Sequence, residues 1–154
     1  DGVLNGEYDW EEIGRFSSLW ESQLREFRAR LLARMRRVLR ETGATVVVIS
    51  SKRKTWGPEG IRRLFFEAET GIEIGYVLPG TDSEGEDSDD RIRLIREFLS
   101  ARPAPEQWAV VDDTWGYGWE TDPEFAARTV IPDGLEGISE SDVRGLIEIL
   151  GVKE

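Results

Sequence analysis

The sequence predicts an α/β fold built on a mainly parallel central sheet. Apolar, β-branched runs alternate along the chain with segments whose apolar residues recur at three- and four-residue spacing, the pattern of strands joined by helical crossovers. The run Thr45-Val46-Val47-Val48-Ile49-Ser50 is apolar at every inner position, as a strand covered on both faces must be. At 154 residues the chain fits one domain that buries roughly two-thirds of its unfolded surface, enough for a core without disulfides or a structural metal.

Each element has a local reason. Leu24, Phe27, Leu31, Met35 and Val38 share one helical face, and Gly43 sits where a left-handed C-terminal residue belongs, so a helix is expected over 18–42. Its other faces carry seven arginines between Arg25 and Arg40, which the acid surplus elsewhere can pair within the molecule or between subunits. After the Val-rich strand, a helix is expected from Pro58 to Glu69, with proline in its first turn, and then a strand from Ile72 to Leu78. Residues 79–90 read as a solvated acidic loop. It lacks the residue order of a calcium-binding EF-hand, since Gly85 is misplaced and no closing Glu follows. Ser88 is positioned to cap a helix from Asp89 to Ser100, whose Ile92, Ile95, Phe98 and Leu99 form one apolar stripe. Pro103 and Pro105 stop it before the strand Trp108-Ala109-Val110-Val111. A short strand, Thr129 to Ile131, and a helix from Ser139 to Leu150, opened by the capping box Ser139-x-x-Asp142, complete the chain.

Composition excludes several chemistries. The chain has neither cysteine nor histidine, which removes thiol nucleophiles, Ser-His-Asp and Cys-His mechanisms, and the usual zinc sites. Catalysis would have to run on carboxylates, hydroxyls, Lys or Arg, with a hard cation. Twenty basic residues against 31 acidic ones give a net charge of −11, which argues against a general nucleic-acid coat or an anionic membrane as the main partner but leaves room for a local basic groove. No apolar stretch approaches the roughly 20 residues of a membrane helix, and the start Asp1-Gly2-Val3-Leu4-Asn5 is not a signal-peptide pattern, so a soluble, cytoplasmic protein is expected.

Polar groups gather where strands end: Asp1 before Gly2, Ser50-Ser51 after the Val-rich run, and Asp112-Asp113 after Val110-Val111. In an open parallel sheet the carboxyl ends of neighbouring strands face one crevice. Carboxylates and a hydroxyl there are the hard oxygen ligands and phosphate donors that Mg²⁺-assisted phosphoryl chemistry requires. The plain alternatives are an Asp pair capping a turn, a Ser50 hydroxyl bonding local backbone, and Arg91 as one more solvated helix arginine beside Arg93 and Arg96. Lys52, Arg53 and Lys54 with Trp56 form a basic-aromatic cluster next to this crevice, suited to gripping a phosphodiester and stacking a base, or else a solvated loop. Trp115-Gly116-Tyr117-Gly118-Trp119 either floors a pocket or packs over the sheet end.

In this order the motifs resemble those of the haloacid dehalogenase superfamily, and within it the small capless branch found in Swiss-army-knife RNA repair proteins. Asp1-Gly2-Val3-Leu4-Asn5 is similar to the second half of the first motif, Asp-x-Asp-Gly-(Thr/Val). Val46-Val47-Val48-Ile49-Ser50 matches the second, and Ser50-Ser51-Lys52-Arg53 loosely keeps the branch's Ser-Ser-x-x-Arg. Arg91 matches the basic third motif, where most of the superfamily has Lys. Val110-Val111-Asp112-Asp113 matches the fourth, and Gly134-Leu135 is similar to a late Gly-Leu of the branch.

The resemblance implies a Rossmann-like three-layer sandwich with a mainly parallel sheet and no cap. The roughly 44 residues between the first two motifs, mostly one helix, leave no room for a large cap domain. It implies Asp1 as general acid and base, Ser50 as phosphoryl ligand, Arg91 as its charge neutraliser, Asp1, Asp112 and Asp113 around Mg²⁺, and Ser51, Lys52, Arg53 and Trp56 as substrate contacts. It also implies that the nucleophilic Asp, with the central strand that carries it, lies upstream of residue 1, so that residues 1–154 form a single domain lacking its first strand. The expected activity is a Mg²⁺-dependent phosphohydrolase acting on a phosphate monoester, with an RNA or DNA end phosphate favoured because capless members act on large substrates. A binding module without the nucleophile is the alternative, and paired-carboxylate glycoside hydrolysis ranks last, since no suitably placed strand-end pair is visible. Oligomeric state is left open by the sequence.

Overall fold

The computed structural model describes residues 3–4, 19–25, 27–79, 88–103, 105–114 and 117–154. In chain order the elements are α1 (Leu19–Arg25), α2 (Ala29–Thr42), β1 (Val46–Val48), α3 (Lys52–Glu67), β2 (Ile74–Val77), α4 (Ser88–Ser100), β3 (Val110–Val111), α5 (Pro123–Ala126), β4 (Thr129–Val130) and α6 (Glu140–Leu150). The fold is α/β with small parallel sheets, compatible with a Rossmann-like architecture. None of the described helices is long and apolar enough to cross a membrane.

β1 pairs in parallel with β2, and β3 in parallel with β4. Side chains alternate across each strand as the pleat requires. Val46 and Val48 pack with Leu32 and Ile61 on the α2–α3 side, whereas Val47 and Ile49 pack with Leu94 and Ile95 of α4. In the second pair Val110 joins the α4 side, and Ala109 and Val111 join Leu31, Val38, Val143 and Leu146 of α2 and α6. β1 and β3 are therefore packed against helices on both faces, which is why these two runs are apolar throughout. Among the described residues no ladder pairing joins the two pairs. A cavity of about 710 Å³ lies between them, with Val46 to Ile49 on one side and Ala109 to Val111 on the other.

The single helix expected over 18–42 is two. Arg28 is extended (φ −97°, ψ 127°), and its N–H donates to the Leu4 carbonyl at 3.1 Å, so the chain leaves helical geometry where Phe27 meets Phe65 edge-on at 5.2 Å. The expected C-terminal residue holds: Gly43 is left-handed (φ 68°). The helix expected from Pro58 starts earlier, at Lys52, because a helical turn precedes a break at Gly57 (φ 64°, ψ 177°), and Pro58 then opens the main segment. Lys52, Arg53 and Lys54 accordingly stand on a helix rather than in a loop. The α6 capping box is present in both directions, Ser139 N–H to Asp142 Oδ2 at 2.7 Å and Asp142 N–H to Ser139 Oγ at 3.1 Å. Arg34 and Arg37 of α2 pair with Glu140 across the α2–α6 contact, an intramolecular use of that arginine-rich face. The short helix α5, capped by Asp122, was not legible in the periodicity because it spans a single turn.

Candidate functional site

Five of the residues singled out in the sequence follow strand ends or face them and line one cavity. β1 stops before Ser50, whose hydroxyl accepts from the Lys52 N–H at 3.3 Å. β3 stops before Asp112 and Asp113. The first turn of α4 brings Arg91 across to them. Ser50, Lys52, Arg91, Asp112 and Asp113 line the same cavity.

Asp112 is 4% exposed and held from three directions. Its N–H donates to the Val130 carbonyl at 3.2 Å, which extends the β3–β4 ladder past the last strand residue. Its Oδ1 accepts from the Thr114 N–H at 3.0 Å, and its Oδ2 accepts from Arg91 Nη1. A carboxylate this buried is retained only with such partners, because unpaired it would carry a large desolvation cost. The Arg91 side chain is itself 11% exposed. Its guanidinium lies over the Tyr117 ring, 3.9 Å from the centroid, and Tyr117 leans on buried Trp119, which stacks on Phe125. Asp113 is half-buried and turns toward the Asp133–Gly137 turn: a Cβ on Gly134 would stand 3.3 Å from Asp113 Oδ2. That close approach gives the Gly134-Leu135 pair a physical reason. The turn is closed by the Asp133 carboxylate, which accepts from the Leu135 and Glu136 N–H groups at 2.8 and 3.1 Å.

The remaining residues fall elsewhere. Arg53 is turned inward at the strand ends. It is 4% exposed and donates to the carbonyls of Ile49, Ser50 and Pro79, so it ties the carboxyl ends of β1 and β2 together. Ser51 is exposed at the start of α3 and makes no capping bond. Trp56 meets Trp20 of α1 edge-on at 5.1 Å, and Trp20 Nε1 donates to Glu67 at 2.7 Å. Glu67 also accepts from Arg63 at 2.5 Å, and Arg63, then Trp20, hold its carboxyl below the usual carboxylate value. Asp1 and most of the acidic loop lie outside the described residues, as do Trp115 and Gly116. Sequence reasoning gave Tyr117 no specific partner and did not connect Gly134 with Asp113. Both contacts join residues far apart in the chain, for which spacing carries no signal.

Among the described residues no group of three or more acidic side chains is placed to hold a metal. The donor chemistry at Asp112 and Asp113 is of the kind a hard cation takes, while both Asp112 oxygens already accept bonds, from Thr114 and Arg91, and Asp113 turns toward Gly134. The pair offers oxygen alone, and Mg²⁺ commonly takes one or two carboxylates and keeps several waters. A parallel sheet with a hydroxyl, a guanidinium and two carboxylates around one opening can bind a phosphate and neutralise the charge it spreads over its oxygens.

Comparison with known proteins agrees with this arrangement. The family model described as the HAD domain in Swiss Army Knife RNA repair proteins matches residues 1–143. No curated protein and no solved structure matches the chain.

Proposed function

We propose, on the premise that this chain belongs to the HAD domains of Swiss Army Knife RNA repair proteins, that it is a Mg²⁺-dependent phosphohydrolase acting on phosphate monoesters. The end phosphate of an RNA or DNA strand is its favoured substrate. The observation that carries the reading is that Ser50, Arg91, Asp112 and Asp113 line one cavity, with Arg91 bonded to Asp112. Such a set has little use in packing and an immediate one in phosphoryl transfer.

Each residue has a defined task. The Ser50 hydroxyl donates to a phosphoryl oxygen. Arg91 offers a planar fork of five N–H donors, of which the pair with Asp112 uses only part, and the rest suit a second phosphoryl oxygen. Asp112 and Asp113, with Asp1, would hold Mg²⁺, which when bound neutralises phosphoryl charge. The nucleophile in this reading is an aspartate two residues before Asp1, on a strand lying in the slot between β1 and β3. Its carboxylate attacks phosphorus, and the leaving oxygen takes a proton from Asp1. Water then attacks the same phosphorus, returns a proton to Asp1 and releases phosphate with the aspartate regenerated.

The slot supports this placement. Its two walls are apolar strands whose inner edges make no ladder bonds among the described residues, and uncovered edges of this kind accept a further strand. Val3 and Leu4, which line the slot, are pinned at its carboxyl end: the Val3 carbonyl accepts from Ile138 at 2.9 Å and the Leu4 carbonyl from Arg28 at 3.1 Å.

The test is phosphate release by the full-length protein from 3′-phosphorylated RNA and DNA oligonucleotides and from a small aryl phosphate, with Mg²⁺ and with EDTA. The expected result is Mg²⁺-dependent release, faster from the oligonucleotides. Absence of release from all three substrates would overturn the enzyme reading in favour of a binding module.

A further inference from the structure

The contact that the phosphohydrolase reading leaves without a purpose is the stack of Arg91 on Tyr117. We propose that Tyr117 is a positioning residue for Arg91, and that it is the reason this site uses an arginine where a lysine would serve a bare phosphate. The inference rests on the reading of Arg91 as the phosphate-facing cation.

The geometry is a clamp with two jaws. The guanidinium carbon of Arg91 lies over the Tyr117 ring, 3.9 Å from its centre, and Nη1 is held by the buried Asp112 carboxylate. A guanidinium is planar and weakly hydrated, so it stacks on an aromatic face and still donates from its edge; an ammonium has no plane to stack. Stacking fixes the plane, the carboxylate fixes rotation within it, and the donors left over keep one direction. The ring in turn is braced. Tyr117 packs at 5.9 Å against Trp119, which is 1% exposed and stacks at 5.6 Å on fully buried Phe125. The next residue, Gly118, has φ +83°, a left-handed backbone that a side chain would strain, so the turn that presents Tyr117 depends on glycine at that position. Arg91 thus rests on a pier of three aromatic rings that ends in the core on the α4 side of the sheet. An unsupported arginine would sample several rotamers and lose the alignment on which transition-state stabilisation depends.

The experiment is a set of variants in the full-length protein: Tyr117→Phe, Tyr117→Leu, Tyr117→Ala, Arg91→Lys, and Arg91→Lys with Tyr117→Leu. Tyr117→Phe keeps the ring and is expected to stay within about twofold of the parent in kcat/KM. Tyr117→Leu keeps bulk without the aromatic face and is expected to lose about tenfold, mostly in kcat. Arg91→Lys should cost much more in the parent than in the Tyr117→Leu background, because the stack is already gone there. Equal damage from Phe and Leu, or an equal cost of Arg91→Lys in both backgrounds, would overturn the clamp. If the parent releases no phosphate, the function reading fails by itself. The clamp is then judged on thermal unfolding of the same variants, where coupling between positions 91 and 117 supports it and strict additivity refutes it.

Discussion

At the scale of single residues, the site depends on which polar groups the fold turns inward. Asp112 and Asp113 were legible because two adjacent carboxylates directly after a buried strand are hard to place by packing. They then diverge, Asp112 to Arg91 and Asp113 toward Gly134. Arg53 was not legible in its actual role. Beside two serines and two lysines it reads as a ligand contact, yet carbonyls at the ends of β1 and β2 need donors, and the buried guanidinium supplies them. No spacing rule tells which of three consecutive basic side chains will turn inward. Gly134 offers a sharp test at this scale. A methyl at 3.3 Å from Asp113 Oδ2 forces the carboxylate to move by a few tenths of an ångström. Gly134→Ala is therefore expected to lower Mg²⁺-dependent turnover by on the order of tenfold, with little loss of thermal stability. Steady-state kinetics beside a melting curve checks both halves, and a variant with unchanged kcat would show that Asp113 tolerates the shift.

At the scale of elements, strands and helices with strong periodicity could be read directly, and the exceptions have physical causes. The break between α1 and α2 comes from Arg28 donating its N–H to Leu4, a tertiary bond that outweighs continued helix in a run of good helix formers. The early start of α3 comes from Gly57, which admits a kink where the Pro58 signal alone predicts a beginning. The docking of α1 on α3 is itself electrostatic in part. Glu67 accepts from Arg63 and from Trp20, which depresses its carboxyl pKa in the folded state. A depressed carboxyl contributes stability that is fully present above its unfolded-state pKa and is lost as pH falls through the folded-state value. Acid should therefore loosen the Trp20–Trp56 contact below the ordinary glutamate range, seen as a change in tryptophan emission. Glu67→Gln should remove that pH dependence, and an acid transition unaltered in Glu67→Gln would assign it to another group.

At the scale of the whole molecule, the parallel α/β class was readable because β1 and β3 are covered on two faces and so are apolar throughout. The resemblance implied a sheet lacking its central strand, and the described strands form two separate pairs; which strand pairs with which was not readable, since pairing leaves no mark in either strand's own sequence. The slot, the strand-end carboxylates and the arginine together carry the proposal that a phosphoryl-transfer site forms where β1 and β3 end. The excess of acidic residues gives no general attraction for a nucleic acid, so under the proposed function recognition of an end phosphate would have to come from this opening itself. The most direct measurement is single-turnover phosphate release by the full-length protein from a 3′-phosphorylated oligonucleotide, comparing the parent with Asp113→Asn in saturating Mg²⁺. The account predicts release by the parent and a loss of at least a hundredfold in Asp113→Asn with the fold intact. Equal release by the two proteins would contradict it, because Asp113 would then have no part in the chemistry.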